Sequence, residues 1–535
     1  MRRFKYRQIT LALCLAFSLS SCGKSSKDAR KPNWLYLNFS HEPATADVRK
    51  TTETTAALLS YLTREGLLRL SSSGELELAQ AERVEISPDR KTYTFFLKKT
   101  YWSNGEPLLA KDFANSWLSI LDPKTGSPNA YFFFCIKNAK AAYQGEVPKE
   151  TIGIEVKDDH CLTVHLEEPI FDFLQIVASR FALPMKYKDD TLNLESLLFN
   201  GPFIIKTWTH AKEIELVQNP FFRAPKQIGI EGILISLIEH EASSVALFQQ
   251  GLLDMVGYPY SFIPHSVENG LFEAKDAQMR PGSTVSVCVF NTTQFPLNNL
   301  SLRKALCYAI DREMLAQSMN IFYAHPAYSL IPSCVLDHPK DAIFNHDKQT
   351  AKEFLKLALQ ELGTDLEHLP KITLTYPLSQ ENGAIQKIVQ ILQFQWREHL
   401  GIDVGLEALE IKLALSKFGS KTYDVGFVTW DAYWDSPFCC LDRFLSKNNK
   451  KNYSNWENST FTKLVYDARI TEEKESRSAK FLEAEKLLIE DAPILPVIVW
   501  DYHMIQNPRM PNPIRQLKNG SIGLEVSSKE LSQSE

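Results

Sequence analysis

Acids and aromatics crowd one short stretch of the chain, Phe427-Val428-Thr429-Trp430-Asp431-Ala432-Tyr433-Trp434-Asp435. Trp430 offers a flat apolar wall with one N–H donor, and Asp431 or Asp435 can meet a cation in a charge-assisted hydrogen bond. This is the chemistry of holding a ligand. The chemistry of breaking bonds is harder to find: there is no Gly-x-Ser-x-Gly elbow and no His-Glu-x-x-His, and the Ser-x-x-Lys from Ser21 to Lys24 spans Cys22 at the end of the leader. The chain therefore reads as a non-enzyme. His160, Cys161 and His165 invite a metal, but on a strand His160 shares a face with Leu162, Val164 and Leu166 while His165 points the other way. His325, His338 and His346 have no ligand-like spacing either, so neither a metal nor a cofactor is assigned.

The other reactive candidate is Cys22. Arg2, Arg3, Lys5 and Arg7 precede an apolar run from Ile9 to Phe17, too short to span the ~30 Å of a bilayer's hydrocarbon as a mature helix. Leu19-Ser20-Ser21-Cys22 follows and resembles a bacterial lipoprotein box. Residues 1–21 then form a signal peptide, Cys22 carries the lipid, and residues 22–32 form a polar tether. The mature protein is expected outside the cytoplasm, held to a bacterial membrane by its lipid. An ordinary secretory signal or a short uncleaved anchor is the alternative.

A chain of 535 residues exceeds one ordinary core and should form two or three lobes. Its formal charge of −5 becomes more negative once the basic leader is removed, which excludes nucleic acid as the natural partner. Beyond Cys14 and Cys22, seven cysteines remain without a framework spacing. They leave room for one or two disulfides, and a bridge between the adjacent Cys439 and Cys440 would be strained.

Period-two patterns predict strands at Asn33 to Phe39 and through Tyr93, Phe95 and Leu97; helical spacing within Thr52 to Leu70, through Ala57, Leu58, Tyr61 and Leu62, predicts a helix that Gly66 ends, and Lys111 to Leu121 predicts another. Leu302, Ala305, Leu306, Ala309 and Ile310 define an amphipathic helix. Ile385 to Trp396 makes another, capped by Gly401, and Ile402, Val404 and Leu406 then alternate as a strand. The fold class is mixed α/β.

Four segments, in order, resemble the oligopeptide- and dipeptide-binding lipoproteins of ABC transporters, solute-binding protein family 5. They are residues 92–117 around Trp102-Ser103-Asn104-Gly105, residues 200–208 with the following Asn219-Pro220-Phe221, residues 290–315, and residues 483–500. The resemblance implies a two-lobed periplasmic-binding-protein-like fold (type II, cluster C) with an extra small domain and a hinge. Lobe I would comprise 33–72, 201–285 and 501–535, the extra domain 73–200 packed with lobe I, and lobe II 286–500. It also implies a monomer that encloses a peptide ligand and delivers it to permease subunits. A cell-wall peptide, nickel chelate or haem on the same fold is the runner-up, and a tethered peptidase is the alternative from another class.

Trp430 and Ala432 match the family's Trp-x-Ala-Asp ligand-contact motif, but Tyr433 stands where the family has the Asp that pairs with the ligand's amino terminus. A phenol cannot make that bond. Recognition of the amine is expected to weaken or to move to Asp431 or Asp435, with more of the affinity resting on main-chain bonds and on Trp430. Glu42 resembles the family's acid at the cleft edge, and Tyr131 is placed on a cleft wall.

Overall fold

The computed structural model describes residues 30–51, 53–71, 74–188, 193–224, 229–258, 261, 263, 277–319, 324–338, 343–378, 383–432, 436–507, 514–516 and 522–524. Three sheets organise the chain. The first orders its strands Trp34–Phe39, Gly232–Leu237, Glu213–Gln218 and Phe203–Thr209, with the first pair parallel and the rest antiparallel. Alternation decides its faces: Leu35, Leu37, Ile214, Leu216, Ile233 and Ile235 are buried on one side, over the helix Thr54–Thr63.

The second sheet is antiparallel and orders Ala81–Ile86, Thr92–Leu97, Cys161–His165 and Ile154–Asp158. Tyr93, Phe95 and Leu97 all point into its core, as their spacing predicts, and meet the helix Ala110–Ile120. Asp112 explains the Trp-Ser-Asn-Gly turn: its carboxylate accepts from Trp102 Nε1 at 2.9 Å and from the Leu109 N–H at 2.9 Å. One acid thus caps the helix and fixes a fully buried indole.

The third sheet runs Met255–Gly257, Ile494–Gln506, Ala277–Phe290, Val425–Asp431, Thr373–Pro377 and Gly405–Leu409, and Ala324–Pro326 pairs with Ile494–Gln506. Two strands here are unusually long, at 14 and 13 residues. They lie antiparallel and carry the chain from the lobe containing the first sheet into the lobe built on Val425–Asp431 and its neighbours. The register between them shifts from Arg280 to Thr284, where Gly282 lies against the other strand. A Cβ there would sit 1.7 Å from the Trp500 carbonyl oxygen, so only glycine fits the crossing.

Some elements depart from expectation. The first helix stops at Thr63, shortly before the Gly66 expected to end it, because Arg64 turns extended, and Leu68–Leu70 then pairs with Leu76–Leu78. His160 lies in the turn before its strand rather than on it. Ile402 and Val404 are buried ahead of the strand that begins at Gly405. The helix after residue 300 spans Leu300–Tyr308, and a second, Arg312–Met319, follows at once. Arg30, expected in the tether, instead forms an ion pair with Asp254 at 2.6 Å.

The apolar interior is continuous from the second sheet's domain into the lobe of residues 285–498, whereas the first sheet keeps a core of its own. Leu183, Met185, Leu197 and Phe199, which follow the second sheet in the chain, nonetheless join the first sheet's core. None of the seven cysteines is in a disulfide. Burial raises the thiol pKa of Cys135 and of Cys307 to about 12, so both stay protonated. Among the described residues no helix is long and apolar enough to cross a membrane.

Candidate functional site

Where the long strands cross, polar side chains line one face of the third sheet. Asp431 pairs in register with Thr284, and Thr284 with Trp500. The Thr284 hydroxyl donates to Asp431 Oδ1, Trp500 Nε1 donates to Ser286 Oγ at 2.8 Å, and Ser286 Oγ lies 2.8 Å from Thr429 Oγ1. Farther along, Tyr502 OH sits 2.6 Å from Ser283 Oγ and accepts the Ser283 N–H at 3.1 Å, and Tyr258 stacks on Tyr502 with centroids 4.5 Å apart. The result is a hydroxyl-rich ladder with one carboxylate at its end.

Asp431 is half-buried, and among the described residues only Thr284 donates to it. Burial pushes its carboxyl above the usual range, against the pull of the Thr284 hydroxyl and of Arg180 and Arg443. Arg180, in the short helix Arg180–Ala182, is far from Asp431 in sequence yet near enough in space to favour its charge. An ammonium group placed there would meet a poorly solvated carboxylate, where a charge-assisted bond is strong.

Trp430 lies on the opposite face. Its ring meets Phe444 edge-on at 5.9 Å and Tyr453 at 6.4 Å, and the Arg443 guanidinium covers it at 4.2 Å. Trp430 thus belongs to an aromatic cluster beside the strand and is half-buried. Period-two alternation from Val425 onward carries this information, since Thr429 and Asp431 must share a face that Trp430 does not. Ala432 is buried, and its N–H donates to the Ser283 carbonyl at 3.0 Å. Tyr433 and Asp435 lie outside the described residues, as does Cys22.

Glu42 is fully engaged. One oxygen accepts from Trp208 Nε1 at 2.6 Å and from His210 Nδ1 at 2.7 Å, and the other accepts the Ala211 N–H at 3.0 Å. Desolvation opposes ionisation, but the donors from Ala211, Trp208 and His210 outweigh it and lower the pKa. This carboxylate ties the turn after the first strand to the end of Phe203–Thr209. Tyr131 instead joins the extra domain to the second lobe, because its hydroxyl accepts from Lys451 Nζ at 2.6 Å. Burial holds the Lys451 ammonium down to about 8, with Asp442 opposing and Arg443 and Arg180 adding repulsion.

Sequence reading missed a second Ser-x-x-Lys at Ser301 to Lys304. Ser301 is buried in the first turn of its helix, and Lys304 lies over Phe354 at 5.7 Å, so the pair has the geometry of packing. Among the described residues no cluster of three metal-ligating side chains occurs.

Known proteins share this architecture. The oligopeptide-binding protein OppA of Bacillus subtilis strain 168 is 29% identical over 522 residues, covering 94% of this chain and 95% of its own length. The structure of Haemophilus influenzae OppA in complex with RPPGFSPFR superposes with a TM-score of 0.81 at 24% identity, over 93% of this chain and 99% of that one. The Escherichia coli murein tripeptide-binding protein MppA superposes at 0.80 and 23% identity over 93% of this chain and 97% of that one, and its unliganded open form at 0.70 and 23% over 93% and 96%. Residues 75–452 match the family model of the middle region of bacterial extracellular solute-binding proteins, family 5. With a two-lobed α/β fold joined by two crossing strands and that match over most of its length, the chain belongs to the family 5 bacterial extracellular solute-binding proteins.

Proposed function

We propose that this chain binds oligopeptides between its lobes and delivers them to the permease of an ABC transporter. The observation that carries the reading is the hydroxyl ladder ending in Asp431 at the strand crossing, polar groups along which an extended peptide would lie while pairing its main chain with the protein. Affinity then depends little on side-chain identity. Family 5 relatives named for oligopeptide binding support the ligand class.

In this reading lobe I comprises residues 33–72, 201–285 and 501–535, the extra domain 73–200, and lobe II 286–500. Asp431 takes the ligand's amino group in place of the family's Asp at the Tyr433 position, with Ala432 and Tyr433 continuing the contact strand. Trp430 supports that strand from behind, and Tyr131 and Glu42 shape the margin. The protein is a lipid-anchored monomer attached through Cys22 on the extracytoplasmic side of a bacterial membrane, and it does not turn over its ligand.

Native mass spectrometry of the chain from residue 23 onward, purified from a bacterial host, tests this. A ladder of bound peptide masses is the expected result. A single non-peptide mass, or cleavage of an added peptide, would overturn the reading.

A further inference from the structure

Asp172 and Arg469 are 297 residues apart in sequence, on different domains, and meet in a buried ion pair. Arg469 donates Nε and Nη2 to Asp172 Oδ1 at 3.2 and 3.0 Å, and the two side chains are only 8% and 10% exposed. The Phe171 N–H also donates to the Arg469 carbonyl at 3.1 Å. Side chain and main chain therefore join the same two points.

Both partners are arranged for each other and not for their own elements. Asp172 occupies the N-cap of helix Phe173–Ala178, where an Asp ordinarily accepts from its own helix, yet its side chain makes no capping bond. Its second oxygen receives Ser436 Oγ at 3.4 Å, again from the opposite lobe. Arg469 sits in the last turn of helix Ser459–Ile470, and its guanidinium lies over the Phe438 ring at 3.7 Å, a contact within its own lobe that helps orient it. Phe171 is covered by Arg90 of its own domain at 4.6 Å and by Arg477 of the other lobe at 5.1 Å. The Lys451–Tyr131 bond crosses the same boundary.

We propose that Asp172 and Arg469 are positioning residues that latch the extra domain to lobe II when the lobes close on a ligand, an inference that rests on the enclosed-peptide reading. Separation of the lobes returns both charges to water. Closure with one partner missing strands the other in a dry interface, which penalises the closed state alone.

Small-angle scattering tests this on the chain from residue 23 onward, with a tryptic digest of casein as the probe. Wild type, Arg469→Met and the double variant Asp172→Leu/Arg469→Met are compared. Wild type should contract as digest is added, Arg469→Met should need at least about tenfold more digest to reach the same radius, and the apolar double variant should contract like wild type. Contraction of Arg469→Met at the wild-type concentration would overturn the latch. If the wild-type radius ignores the digest, the peptide reading fails on its own. The latch is then judged by the radii without peptide: a larger radius for Arg469→Met than for wild type and the double variant upholds it, and equal radii refute it.

Discussion

Glu42 and Asp431 are both acids just past, or at, the end of a strand, one on each lobe, and they have opposite surroundings. Glu42 is met by three donors from a single neighbouring strand end, and its charge is favoured. Among the described residues Asp431 has one hydroxyl donor, and burial disfavours its charge. A carboxylate saturated by its own fold serves the fold, whereas one left short of donors in a gap can still gain from a ligand cation. From residue type and turn context the two look alike; only their partners separate them.

The largest effect is expected at the under-satisfied acid. Asp431→Asn keeps the Thr284 bond and the strand but removes the charge, and should weaken binding of a peptide with a free amino terminus by roughly 2–5 kcal/mol. Isothermal calorimetry reads this directly. An unchanged affinity would place Asp431 with Glu42 among structural acids.

A third acid sharpens the comparison. Glu485, buried in lobe II, accepts the Leu330 and Ile331 N–H groups at 2.7 Å each and lies 3.3 Å from His338 Nδ1. Burial outweighs those donors and raises its pKa from 4.5 to about 7. A raised folded-state pKa contributes stability that is full below about pH 4.5 and lost as pH rises through about 7. Between about pH 5 and about pH 8 the wild type should therefore lose up to about 3 kcal/mol through this group, and Glu485→Gln should abolish that loss. His338, whose pKa burial lowers, has the opposite sign: its contribution is lost as pH falls below its ordinary value of 6.5. Chemical denaturation across this range checks both limbs, and a parallel loss in the Gln variant would refute the assignment.

The smallest effect belongs to Glu42. Glu42→Gln keeps an acceptor for Trp208 and should leave peptide affinity within about twofold while lowering stability by no more than about 1 kcal/mol. A loss of affinity comparable to that of Asp431→Asn would show that both acids touch the ligand.

How much of this was legible in the sequence depends on the range of the cause. Tyr93, Phe95 and Leu97 announce their buried face through local alternation, and helix Gly383–Leu400 with Gly401 at φ +72° follows its spacing and cap. Boundaries are less exact: Gly66 marks the end of the first helix in the sequence, but Arg64 already turns extended after Thr63, ahead of the Leu68–Leu70 pairing with Leu76–Leu78. The face on which Trp430 falls, opposite that of Thr429 and Asp431, was present in the alternation of its strand. The partners of Glu42 lie more than 160 residues away, and the Asp172–Arg469 pair spans 297. Short-range patterns carry no trace of such contacts. The crossing at Gly282 is equally silent, since a glycine in a strand does not reveal whose carbonyl it must admit.

Whether Asp431 holds the ligand's amino group is addressed most directly by a four-point calorimetric cycle: one peptide, free or acetylated at its amino terminus, against wild type and Asp431→Asn. Acetylation should cost wild type roughly 2–5 kcal/mol and the Asn variant almost nothing, because the charge that the amine pairs with is already gone. An equal cost of acetylation in both proteins would contradict this role for Asp431 and assign the amine to another acid.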